Sequence, residues 1–145
     1  MAIRCIRPAQ LSDNGVVPPA VRGEYVVLVP RVDADGNAIG GLRGPMIEAP
    51  KATYTGWNPR AEGFAAGELC YNTGAVLPFA ATKAAREAAR DPRPSLEERY
   101  AAPAAYVAAV KAAAERLAAE RLLLAEDVEA ITTAATADSL ARLRR

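Results

Sequence analysis

Two short strings, Thr53-Tyr54-Thr55-Gly56-Trp57-Asn58 and Asp91-Pro92-Arg93-Pro94-Ser95-Leu96-Glu97-Glu98-Arg99-Tyr100, constrain this chain most, because both are too irregular to be helix or strand filler. In the second string the prolines lack backbone donors and lock φ, so the helix-forming run Ala80 to Arg90 has to stop at Asp91. Ser95 and Glu98 then make a capping box for a short helix, Leu96 to Tyr100. Pro103 suits a first helical turn, and Tyr106, Val110, Ala113, Leu117 and Leu124 recur at helical spacing on one face of a long helix, with Arg116 and Glu120 off it. Glu126 and Asp127 suit the start of a last helix through Val128, Ile131, Ala135 and Leu140, ending in arginines that complement the helix dipole.

The first half reads differently. Residues 1–23, broken by Pro8, Gly15, Pro18, Pro19 and Gly23, carry no periodicity and are expected to be an irregular lead-in. Tyr25-Val26-Val27-Leu28-Val29 reads as a strand that stops at Pro30 and resumes through Val32 into the turn Asp33-Ala34-Asp35-Gly36-Asn37. The return segment, Ala38 to Ile47, is interrupted by Gly40, Gly41, Gly44 and Pro45, so any pairing strand there is short and at an edge. Pro50 to Pro78 reads as a long structured loop with one helical turn near Ala65 to Cys70. The expected fold is α+β: a small N-terminal β element and a long structured loop packed on three or four C-terminal helices. All of it forms a single region, 1–145, divided into lead-in (1–23), strand, turn and loop (24–78) and helical part (79–145).

Composition narrows the function classes. Hydrophobic residues make up 51% of the 145, but many are alanines and only 6% are aromatic, so a thin core is expected. Either some apolar faces meet a partner outside this chain or the helices form an alanine-rich bundle. A formal net charge of +1 with mixed signs along the chain argues against nucleic acid. The clusters Arg4 with Arg7 and Arg142, Arg144 and Arg145 read as solvated ends. No stretch approaches the roughly 20 apolar residues of a membrane span, and no apolar run follows Arg4, Arg7 and Pro8 as in a secretory signal. The default location for a chain starting at Met1 is cytoplasmic.

The chain has no histidine, so the commonest general base of hydrolytic catalysis is missing. Cys5 and Cys70 are too few and too far apart for a zinc site and read as reduced thiols. Asp33 to Asn37 departs from a calcium loop, with glycine in fourth place and Gly44 where the bidentate glutamate belongs; it reads as a plain turn. Ser12, Ser95 and Ser139 stand in no G-x-S-x-G string, Gly40-Gly41 reads as loop rather than oxyanion hole, and no nucleotide-binding glycine motif occurs. A histidine-free enzyme using Asp, Glu, Lys or Tyr would need a convergent pair that the sequence does not nominate. No catalytic, cofactor or metal residue is therefore assigned. Trp57 with Asn58 could line a pocket, though pinning the loop to the core is favoured. Arg93, Glu97, Glu98, Arg99 and Tyr100 could form a polar binding cluster, though a helix stop and restart is favoured. The stripe Tyr106 to Leu124 could fill a partner's groove, though core packing is favoured. Trp57, Asn58, Arg99 and Tyr100 are the candidate pocket or docking residues.

The ordered strings carry a resemblance. Tyr25 to Pro30 with Asp33 to Asn37, Thr53 to Asn58, Leu77-Pro78-Phe79 with Thr82-Lys83-Ala84, Asp91 to Tyr100, and Leu122 to Val128 resemble the C-terminal region of a family of bacterial α/β-hydrolase-domain proteins, over about Pro18 to Ile131. Gly44, Pro59, Ala81 and Ala125 depart from it, standing where leucine, leucine, arginine and proline are expected. The resemblance implies an esterase-like acyl hydrolase whose catalytic domain precedes this region; no catalytic residue carries over. On it, the chain alone is expected to be non-catalytic, with a missing upstream hydrolase domain or a protein partner as its neighbour. The alternative is a self-sufficient small helical binding or interaction module.

Overall fold

A computed structural model describes residues 3–5, 9–25, 27–63, 66–70 and 73–142. Strands occupy the first half and most helices the second, an α+β fold. Backbone contacts divide the chain into two units, one built from 1–40 and 54–76, the other from 41–53 and 77–145.

In the first unit β1 (Ile3–Cys5) runs antiparallel to β4 (Leu28–Pro30), with Arg4 opposite Val29. β2 (Ala9–Asp13) and β3 (Ala20–Tyr25) pair as an antiparallel hairpin whose register shifts between Leu11 and Ser12. This corrects the irregular lead-in: Pro18 and Pro19 lie in the connection, where no ladder donor is needed, and Gly23 sits beside the bulge. Asp13 closes the turn by accepting from the Gly15 amide at 2.9 Å and from Arg22 Nη2 at 2.8 Å. The expected strand Tyr25 to Val29 is also corrected. Tyr25 ends β3 and Leu28 begins β4, so the apolar run is shared between two ribbons; Val27 and Val29 are buried, and Val26 lies outside the described residues.

Asp33 to Asn37 is a turn, bridged by Val32 opposite Ala38. Gly36 has φ +80°, a conformation that costs glycine nothing. The segment 50–78, expected to be one long loop, carries four short strands: β5 (Ala52–Thr55), β6 (Asn58–Pro59), β7 (Leu69–Cys70) and β8 (Ala75–Pro78). β5 pairs with β8 and β6 runs antiparallel to β7. Strands this short leave no room for alternation to declare itself, and Pro59 and Pro78 hide them by standing at strand ends. β7 occupies the place of the helical turn expected near Cys70; Ala65 lies outside the described residues. Arg7, Arg144 and Arg145, read as solvated ends, also lie outside them.

The second unit holds α1 (Pro45–Glu48), α2 (Lys83–Ala88), α3 (Leu96–Arg99), α4 (Pro103–Ala119) and α5 (Ala125–Arg142). Its buried apolar residues are Ala49, Ala52, Phe79, Val110, Ala113, Ala114, Leu117 and Ala135, so alanine does dominate the core. Ala49, Val110 and Ala135 pack together, bordered by Tyr106, Val107, Ala109 and Ile131. Lys51 pairs with Asp138 and places its ammonium 4.8 Å from the Tyr106 ring centroid. Among the described residues no helix is long and apolar enough to cross a membrane.

Three helix ends depart from the sequence reading, the start of α2 and the ends of α2 and α4. α2 starts only at Lys83, where Thr82 Oγ1 accepts from the Ala85 amide, and Phe79 is core instead of helix. α2 then closes by Asp91 N donating to Arg86 O and Arg90 N to Glu87 O, with Arg90 at φ +54°. α4 closes in the same pattern, Leu122 N to Leu117 O and Arg121 N to Ala118 O, with Arg121 at φ +63°. These are Schellman closures built on arginine where glycine is usual. Leu124 therefore does not continue the apolar stripe and is 62% exposed. Replacing Arg121 or Arg90 with glycine should relieve left-handed strain and stabilise by up to about 1 kcal/mol, less the entropy glycine adds to the unfolded chain. Thermal melts followed by circular dichroism check this; a lower melting temperature for both variants would contradict it.

Candidate functional site

Two constructions contain the residues singled out above, one in each unit. The first is a cleft of about 220 Å3 lined by Leu28, Val29, Pro30, Val32, Gly36, Ala38, Tyr54, Thr55, Gly56, Trp57 and Leu69. β4 supplies Leu28 and Val29, the turn supplies Val32 to Ala38, and the end of β5 supplies Tyr54 and Thr55. Asn37, fully buried, ties the turn to the strand: its Oδ1 accepts from the Tyr54 amide at 2.7 Å. Asp33 Oδ1 accepts from the amides of Asp35 and Asn37, each at 2.9 Å, so this carboxylate serves the backbone of the turn. Thr55 Oγ1 donates to Trp57 O at 2.7 Å and accepts from the Ala75 amide at 3.1 Å, which fixes the chain where Trp57 leaves β5. Among the described residues no charged side chain lines the cleft.

The second construction is ionic. Arg93 forks onto Asp91, with Nη2 to Oδ2 at 2.6 Å and Nε to Oδ1 at 2.9 Å, and its Nη1 donates to Thr53 Oγ1 at 2.7 Å and to Leu77 O at 3.0 Å. The Phe79 ring lies under two guanidinium groups, 5.1 Å from Arg93 and 4.2 Å from Arg99. Ser95 and Glu98 form the expected capping box, and Glu98 Oε2 also receives Arg86 Nε at 2.8 Å. Glu97 accepts from the Lys83 amide at 2.9 Å, joining the start of α2 to α3. Each of these groups is spent on the fold of its own unit.

Two carboxylates titrate abnormally as a result. The Arg93 side chain and then its amide hold Asp91 down to about 2. The Ser95 amide, then the Ser95 hydroxyl and Arg86, hold Glu98 down to about 2. Both folded values lie below the ordinary carboxylate range, so the stability they contribute is complete above that range and is lost as pH falls through it toward 2. Urea midpoints measured by circular dichroism should stay level from pH 7 to about 5 and then fall steeply, and Glu98→Gln should flatten that fall. A midpoint unchanged down to pH 2.5 would refute this.

Of the four candidate residues, Trp57 lines the cleft, and Asn58 pairs with Cys70 in the β6–β7 ribbon. Arg99 stacks on Phe79 and donates Nε to Pro94 O at 2.9 Å. Tyr100 donates to Pro50 O at 3.1 Å and meets Tyr106 edge-on at 5.3 Å. The structure thus places Trp57 and Asn58 in one unit and Arg99 and Tyr100 in the other. Sequence reasoning missed Tyr54, Leu28 and Leu69 as cleft residues and Asn37 as its tie. The signal was faint: an asparagine closing a turn is ordinary, and only its complete burial marks it.

A family model described as alpha/beta hydrolase domain matches residues 8–133. No curated protein and no solved structure matches the chain. The matched span takes in both constructions, from the β2–β3 hairpin through the first half of α5, and is most of the sequence. On that match this chain belongs to the alpha/beta hydrolase domain family.

Proposed function

We propose that this chain is the C-terminal segment of a bacterial, esterase-like α/β-hydrolase-domain protein of the cytoplasm. In it the segment braces or covers a catalytic domain encoded upstream and performs no acyl transfer itself. The observation that carries this reading is the combination of family membership with a sequence that holds no histidine and no G-x-S-x-G string. A nucleophile elbow needs a strand-to-helix turn that holds its serine exposed at the top of a sheet. Ser95 instead is fully buried, its hydroxyl donating to Glu98 Oε2 at 2.7 Å and accepting from the Glu98 amide at 3.3 Å. Ser12 sits on a hairpin strand paired with Val21, and Ser139 lies within α5. The β1–β4, β2–β3 and β6–β7 pairings are antiparallel, unlike the parallel sheet on which such a turn is built.

Hydrolysis of 4-nitrophenyl butyrate tests the reading. The chain alone should match the buffer blank, while the product of the gene including its upstream coding sequence should cleave the ester. That upstream sequence should hold a G-x-S-x-G and a histidine in frame or after a frameshift. Turnover by the chain alone, abolished by one Asp, Lys or Tyr substitution, would overturn it. The second reading, a self-sufficient binding module, draws its support from the cleft around Trp57.

A further inference from the structure

We infer that the Trp57 cleft is a binding site for a small, uncharged, largely apolar molecule bearing one hydrogen-bond acceptor. The lining dictates the class. The side chains of Leu28, Val29, Pro30, Val32, Ala38 and Leu69 are hydrocarbon, and among the described residues no lining side chain is charged to repay an ion for its lost hydration. The polar lining groups are few and of distinct status. Thr55 Oγ1 already serves Trp57 O and the Ala75 amide. The Trp57 indole N–H and the Tyr54 hydroxyl have no hydrogen-bond partner among the described residues. Neither is sealed off, since no buried side-chain nitrogen or oxygen among those residues lacks a partner. Tyr54 and Trp57 both line the cleft, and an open donor on each lining residue suits one acceptor oxygen on a hydrocarbon body.

Volume bounds the size. A half-open cleft of about 220 Å3 has room for one small ring, below the size of a typical drug-sized site. Asn37 keeps the walls in place without ligand, because its bond to the Tyr54 amide and the Asp33 bonds within the turn are internal to the unit. The site is thus preformed, which lowers the ordering cost of binding. This inference goes beyond the accessory-segment reading and stands whether or not the upstream domain is catalytic.

Trp57 is the sole tryptophan, so one indole N–H cross-peak reports the cleft in an amide correlation spectrum of the 15N-labelled chain. Cyclohexanone, a saturated ring with one carbonyl, is the probe. The indole peak should shift saturably with a dissociation constant on the order of 1 mM, as expected for a ligand this small. Methylcyclohexane, which lacks the acceptor, and cyclohexanecarboxylate, which adds a charge, should each bind at least about 10-fold more weakly, a difference of about 1.4 kcal/mol. A side chain at Gly56 meets no atom within 4 Å of its Cβ, so Gly56→Leu should fold and weaken cyclohexanone at least about 10-fold. Failure to saturate below about 20 mM, or carboxylate binding as tight as the ketone, would overturn the inference on the unmodified chain alone. Unchanged binding by folded Gly56→Leu would overturn the assignment to this cleft.

Discussion

Replacing Arg93 with methionine should lower unfolding free energy by about 3 kcal/mol at pH 7, which for a chain of this size lowers the melting temperature by roughly 10 °C. Few side chains of this protein satisfy so many partners at once. The fork onto Asp91, the bonds to Thr53 Oγ1 and Leu77 O, and the Phe79 ring together tie a loop, β5, β8 and the core of one unit. Arg93 and Asp91 are 18% and 17% exposed, too enclosed for water to replace the lost bonds fully. Methionine keeps the hydrophobic stem, so the loss isolates the guanidinium and the carboxylate it leaves unpaired. Lysine should recover little, because an ammonium cannot reach Asp91, Thr53 and Leu77 in one plane. Asp91→Asn in the Arg93→Met background should cost far less than Asp91→Asn alone, the signature of a coupled pair. Urea unfolding followed by circular dichroism measures all of this. A loss under 1 kcal/mol for Arg93→Met would mean that the node is solvated rather than structural.

That node illustrates what can be read from residues and what cannot. Ser95 and Glu98 were readable because both halves of a capping box lie within one turn, and the structure forms both. Pro103 and the stripe through Val110, Ala113 and Leu117 were readable because a helix repeats its signal. The end of that helix was not, since Arg121 takes a conformation that nothing in an arginine announces; its two closing bonds depend on where Leu122 goes next. The hairpin at β2–β3 was hidden by its breakers, Pro18 and Pro19, which read as an irregular lead-in because nothing local shows that they sit in a connection. The cleft was the least readable of all. Leu28, Tyr54 and Leu69 come together only through β4, β5 and β7, whose pairings are long-range, and Trp57 alone stood out by its rarity.

Truncating Asn37 to alanine should cost about 3 kcal/mol, and this loss is the more informative for function because it strikes the wall of the cleft. Asn37 is wholly buried, and its Oδ1 is the acceptor for the Tyr54 amide at 2.7 Å. Alanine removes that acceptor, leaves a backbone N–H without its bond, and opens a hole the size of a carboxamide. Asn37→Asp separates these effects. It preserves an acceptor oxygen at the same reach but places a charge in a closed site beside Asp33, whose Oδ1 already receives the residue 37 amide. Burial and the neighbouring carboxylate raise the folded-state pKa of the introduced acid, so Asn37→Asp is penalised at neutral pH and recovers toward the parent stability as pH falls and the acid becomes neutral. Asn37→Ala has no such recovery, because it has nothing to protonate. Trp57 fluorescence during urea unfolding at pH 7 and pH 4.5 distinguishes them. Parallel losses at both pH values would show that the side chain fills space rather than accepts a bond. A gap between the two variants that closes with acid would identify the Asn37–Tyr54 bond as what holds the cleft in shape.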